Sequence, residues 1–171
     1  MAMDNLIAPL LRLALFAGLK PLQLTEIVHR AEQVRFWPGD FITKVDQPGD
    51  GAYLVVSGPA YILASPGLAT APEPVEPGSL IGEMAMLIEH DYGSTVVARD
   101  SVFCLKFLRT ALHAQMQEDP KLVEHFHDRV TERLLRTTEE LRRIDQTLAV
   151  RGPVISQPKP ERFVPATYGR F

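Results

Sequence analysis

Gly82 interrupts an otherwise β-like stretch, Gly78 to Ala98, and most of the folding problem follows from that interruption. Leu80 and Ile81 close one strand. Gly82 makes a tight turn, a short helical turn follows, and after a loop a new strand begins near Ser94. A backbone folded this way turns several N–H groups toward one point, which suits an anion and above all a phosphate. Everything before the stretch reads as half of a β-barrel wall. Everything after Phe107 reads as a helical lid and a dimer arm.

The chain around it is 171 residues long and 46% hydrophobic, enough for one domain with appendages and a real core. A formal charge of −3 gives no electrostatic support for nucleic-acid binding. A single cysteine, Cys104, excludes a disulfide framework within one chain and fits a cytoplasmic setting. Its apolar surroundings make it a small buried hydrophobe. Leu6 to Leu19 is apolar, but Pro9 and Arg12 interrupt it, so an amphipathic helix packed on the domain is expected rather than a signal peptide or membrane span.

Taken in order, Asp4 caps a first helix to about Phe16, and Pro21 starts a second to about Gln33 that buries Leu22, Leu24, Ile27 and Val28. From Val34 the period changes. Short strands at 34–37, 41–45, 52–57 and 60–64 are separated by turns at Pro38-Gly39-Asp40, at 47–51 and at Gly58. Residues 65–77, rich in Pro, Ala and Gly, read as a loop. Strands at 94–99 and 102–107 are expected to pair through the Asp100-Ser101 link. A helix from Leu108 to about Gln117 follows. Asp119 then caps a long helix to about Val150, on the order of 45 Å. Its stripe of Phe126, Val130, Leu134, Thr137, Leu141, Ile144 and Leu148 is spaced like a coiled-coil seam and predicts a homodimer. The domain therefore spans 1–150, with a Pro-rich tail over 151–171.

The order of these pieces resembles a cyclic-nucleotide-binding domain. The resemblance runs from about Leu15 to Leu148 and rests on Leu15 to Leu19, the Pro48-Gly49-Asp50 turn, Val56 to Gly58, Pro77 to Glu83 and Thr95 to Ala98. It implies an α+β fold: a jelly-roll-like β-roll flanked by N-terminal helices and a long C-terminal helix, most similar to catabolite-activator (Crp/Fnr) regulators. In its terms, Gly82 lets the backbone approach a ligand, and Glu83 resembles the residue that accepts the ribose 2′-hydroxyl. The N–H groups of Met84 and Ala85 would face a cyclic phosphate. Ser94 matches a position that donates a hydroxyl to that phosphate, with Thr95 beside it. Thr137 and Thr138 fall where catabolite activators place hydroxyls against the purine.

One departure stands out. The family's phosphate site carries an arginine just before the strand, and that position here is Tyr92 or Gly93. No Arg or Lys occurs between Glu83 and Ala98. Arg99 is roughly 13 Å beyond Thr95 along a strand, and the nearer His90 is not a fixed cation such as arginine. Losing one charge-assisted contact costs roughly 1.5–3 kcal/mol, or about one to two decades in affinity. The ligand then binds weakly, something compensates, or the pocket takes another ligand or none.

The expected function is a non-enzymatic sensor for cyclic AMP or cyclic GMP, with no metal and no cofactor beyond that ligand. The alternatives are a degenerate pocket on a dimeric protein-interaction scaffold, or a pocket for another anion or a neutral ligand lined by Tyr92. No nucleophile–base pair is visible, and no recognition helix follows the long helix, so neither catalysis nor direct DNA binding is expected.

Overall fold

The computed structural model describes residues 4–63 and 71–150, and the tail at 151–171 lies outside them. The chain divides into two compact units, 1–131 and 132–171. The first unit holds two four-stranded antiparallel sheets. One has the order β1-β8-β3-β6, from Glu32–Phe36, Val102–Leu108, Gly51–Ser57 and Leu80–Ile81. The other has the order β2-β7-β4-β5, from Phe41–Thr43, Val96–Ala98, Ala60–Ile62 and Glu73–Val75. With the helices α1 (Asp4–Arg12), α2 (Pro21–His29), α3 (Glu83–Leu87), α4 (Arg109–Glu118) and the start of α5 (Pro120–Val150), this is the α+β β-roll the sequence implied.

Strand alternation divides the core. On β3 and β8, Ala52, Leu54, Leu105 and Phe107 point to the helices and pack with Phe16, Leu24, Met86, Leu122 and Phe126. Val55, Val102 and Cys104 point the other way, into the roll, with Ile42, Ile81, Val96 and Ala98. Burial pushes the Cys104 thiol up to about 12, as expected of a small core residue.

Four local expectations are corrected. The first helix ends at Arg12, and 3₁₀-like bonds such as Phe16 N–H to the Leu13 carbonyl carry the chain on. They turn Phe16 into the core against Phe107 and Phe126, ring centroids 6.1 and 6.0 Å away. The second helix ends at His29 because Glu32 and Gln33 pair with Lys106 and Leu105 in β1. Leu22 is 71% exposed, being on the solvent side of that helix. The expected 65–77 loop contains β5, whose Pro74 is tolerated because β5 is a sheet edge. Residues 65–70 of that loop, and Ala64 at the end of the expected 60–64 strand, lie outside the described ones.

The largest correction concerns β7 and β8. They do not pair: β7 joins β2 and β4, while β8 joins β1 and β3. The Asp100-Ser101 link therefore crosses from one sheet to the other. Both strands share the period-2 pattern, and pattern alone cannot tell a hairpin from a crossing.

The long helix is present with its cap, the Lys121 N–H donating to Asp119 Oδ1 at 3.1 Å. Phe126 and Val130 at its start belong to the core of the first unit. In the second unit Leu134, Leu141 and Ile144 are 59, 58 and 54% exposed, and Leu148 lies among residues whose side chains are not described. No helix among the described residues is long and apolar enough to cross a membrane.

Candidate functional site

The cradle is built from β6, Gly82 and α3. Gly82 has φ +75° and caps α3. A Cβ built on it would lie 2.6 Å from Tyr92 Cε1, so both conformation and space require glycine. The Ala85 N–H donates back to the Gly82 carbonyl at 3.0 Å, which tightens the first turn. The N–H of Met84 lies in that turn, where a helix supplies no acceptor of its own. Gly82, Glu83 and Met84 are half-buried and Ala85 is buried.

The Pro48-Gly49-Asp50 turn backs the helix. A Cβ on Gly49 would come within 2.3 Å of Ala85 Cβ. The Gly49 N–H donates to the His90 carbonyl at 3.1 Å, and Tyr92 N–H donates to the Gln47 carbonyl at 2.9 Å. These bonds place the loop after α3 against the turn, far apart in sequence though they are.

Ser94 and Thr95 part company. The buried Thr43 hydroxyl donates to the Ser94 carbonyl at 3.0 Å. Among the described residues nothing hydrogen-bonds the Ser94 hydroxyl. Thr95 Oγ1 accepts the Val45 N–H at 3.1 Å, and its carbonyl accepts the Leu63 N–H at 2.9 Å. Ser94 is thus available to a ligand, while Thr95 ties three strand ends together.

The two candidates for the missing arginine also separate. Tyr92 is buried, and its hydroxyl donates to the Gly51 carbonyl at 3.0 Å with Asp50 Oδ1 at 3.3 Å. Burial, with the nearby Tyr53 and Asp50, raises its pKa well above the usual tyrosine value. Gly93 is exposed, and a Cβ there would meet nothing within 4 Å.

Lys106 and Arg109, which no sequence pattern marks, and His113, which showed no ligand pattern, hold the turn and α3 in place. Lys106 bonds Asp50 Oδ2 at 2.6 Å, and its ammonium lies 5.5 Å from the Tyr53 ring centre. Arg109 Nη1 donates to the carbonyls of Gly49, Ala85 and Ile88 at 2.7, 2.9 and 3.2 Å. His113 Nε2 lies 2.7 Å from the Leu87 carbonyl. Arg109 and His113 open α4 and grip the C-terminal end of α3, where carbonyls lack partners and a cation is favoured. Their contacts span 21 to 60 residues, so no local pattern signalled them. With Pro48, Gly49, Glu89, His90 and Asp91, Arg109 lines an open depression of about 470 Å³.

The other cations in question are occupied. Arg99 donates to the Tyr61 hydroxyl at 3.2 Å, consistent with its expected failure to reach back to the cradle. Lys44 lies over the Phe41 ring at 4.4 Å. Thr137 and Thr138 are exposed on α5 in the second unit, where the Thr138 hydroxyl donates to the Leu134 carbonyl at 2.8 Å.

Comparison with known proteins agrees with this arrangement. The family model for the cyclic nucleotide-binding domain matches residues 33–119, from β1 to the end of α4. The chain is 35% identical over 122 residues to a cyclic nucleotide-gated potassium channel of Mesorhizobium japonicum, spanning 70% of this chain and 32% of the channel. Among solved structures it resembles the N-terminal domain of a transcriptional regulator from Streptomyces coelicolor A3(2), with a TM-score of 0.69 and 26% identity over 78% of this chain and 94% of that one. It also shares its fold with the Thermus thermophilus catabolite activator protein, with a TM-score of 0.61 and 24% identity over 77% of this chain and 62% of that one. A glycine-capped cradle on a β-roll, matched from strand β1 through helix α4, makes this chain a member of the cyclic nucleotide-binding domain family.

Proposed function

We propose that the chain is a non-enzymatic cytoplasmic sensor that binds cyclic AMP or cyclic GMP and reports through α5. The observation that carries this reading is the left-handed Gly82 cap on the first turn of α3, a backbone cradle followed in the chain by a half-buried Ser94. Glu83 would take the ribose hydroxyl. The Met84 N–H and the Ser94 hydroxyl would meet the phosphate, the expected Ala85 N–H being spent on the Gly82 carbonyl. The exposed Leu134, Leu141 and Ile144 support self-pairing of α5 into a homodimer. Binding is expected to be modest, because the cradle loop offers backbone and hydroxyl donors but no cation of its own.

Isothermal titration with both cyclic nucleotides up to millimolar concentration tests the reading. A ligand that binds only the native state also raises the melting temperature. Absence of both heat and thermal shift sinks it. In that event the chain is a scaffold with a degenerate pocket, a reading favoured by the Tyr92 ring packed against Gly82.

A further inference from the structure

The phosphate of a cyclic nucleotide is an anion, and burying one without a partner is costly. The cradle loop supplies no positive charge, so the question is which side chain the fold brings there from elsewhere.

Register answers it. In the first sheet Lys106 lies directly opposite Tyr53 on β3, and Tyr53 lies directly opposite Ile81 on β6. Residues opposite one another in antiparallel strands share a face. Tyr53 and Ile81 pack with the cluster inside the roll, so Lys106 enters on the interior face, in one row with the residue that precedes Gly82. The row crosses only two strand spacings, about 10 Å, and a lysine side chain covers more than half of that. Its ammonium already lies 5.5 Å from the Tyr53 ring centre, on the side of β3.

The ammonium is also wired to the cradle. Asp50 holds it through Oδ2 at 2.6 Å, while Asp50 Oδ1 meets the Tyr92 hydroxyl at 3.3 Å. The Tyr92 ring in turn bears on Gly82. The Lys106 side chain is 16% exposed and the Asp50 side chain 58%, so the cation is the sheltered member of the pair and the carboxylate the solvated one. Arg109, Arg99 and Lys44 are each turned to other partners.

We infer that Lys106, presented from β8 and oriented by Asp50, is the cation that meets the ligand phosphate, in place of an arginine in the cradle loop. The inference rests on the cyclic-nucleotide reading above. It gives the site a lysine point charge in place of a bidentate fork, and so selects for negative charge without fixing the phosphate's orientation.

The test compares cyclic AMP and cyclic GMP with adenosine and guanosine, by titration against the wild type, Lys106→Met and Lys106→Arg. In the wild type the cyclic nucleotide is expected to bind roughly 10- to 100-fold tighter than its nucleoside. Its affinity should weaken with added salt. Lys106→Met should abolish both the preference and the salt dependence, while leaving nucleoside affinity within about threefold. Lys106→Arg should retain the preference. Adding Gly93→Arg to Lys106→Met should restore the preference, because Gly93 is open to a side chain. That rescue also separates a charge effect from a folding defect. Two results overturn the inference while leaving the cyclic-nucleotide reading standing: a preference that survives Lys106→Met, or equal binding of nucleoside and cyclic nucleotide in the wild type. Binding of neither class to the wild type removes the reading itself, and the inference with it.

Discussion

Tyr92 and Gly82 are in edge-on contact: the Tyr92 ring occupies the space where any side chain at position 82 would begin. The hydroxyl at the other end of that ring is fixed to the Gly51 carbonyl. The ring is thus clamped between a turn that must be glycine and a strand end that must accept a bond.

Gly82→Ala forces a left-handed backbone onto a residue with a Cβ and drives that Cβ into the ring. The expected loss is about 2–4 kcal/mol. Urea denaturation measures it, and a loss under about 0.5 kcal/mol would show that the ring yields freely. Tyr92→Phe keeps the packing and removes the hydroxyl, with an expected loss of about 1–2 kcal/mol from the unsatisfied Gly51 carbonyl.

Arg109→Met removes three bonds to carbonyls made by a single guanidinium nitrogen. We expect a loss of about 2–3 kcal/mol by denaturation. Amide exchange in residues 85–92 should accelerate more than in β3 and β8. Uniform acceleration across the first unit would show that Arg109 stabilises the fold without locally securing α3.

The Asp50–Lys106 pair sets an acid limit. Burial alone would raise the Asp50 carboxyl, but the Lys106 ammonium and the Tyr92 hydroxyl outweigh it and hold the pKa below its ordinary value of 3.8. A carboxyl lowered on folding contributes stability above its unfolded pKa and loses it as pH falls through the folded one. Wild-type stability should therefore fall below pH about 4, and Asp50→Asn should flatten that limb of the profile. Parallel profiles for the two proteins would remove Asp50 from the account.

Self-pairing of α5 predicts a dimer by sedimentation on the order of tens of micromolar, and a monomer for Leu134→Glu with Leu141→Glu. A wild-type monomer, or a dimer indifferent to both changes, would contradict the seam. Circular dichroism should remain helical in the variant, because both residues are exposed within their own unit.

What the sequence disclosed follows the range over which each feature is determined. Gly82, the short helix and the Asp119 cap are local, and they stand where pattern placed them. Sheet partnership is nonlocal, which is why β7 and β8 read as a hairpin and are not one. The Tyr92–Gly93 ambiguity needed burial to separate a clamped ring from an open position. Nothing local in the sequence marks Lys106 within its strand. Only the register that sets it opposite Tyr53, with Asp50 at its tip, distinguishes it.

Pro74 has a consequence for how copies of this chain meet. It sits at the centre of β5, a three-residue strand on the rim of the second sheet, and leaves that rim at most two N–H donors. The opposite rim, β2, is equally short, and Asp46 lies just beyond it with φ +59°. Neither rim offers a template on which a foreign strand can grow. The second sheet thereby resists open-ended growth by strand addition at either edge.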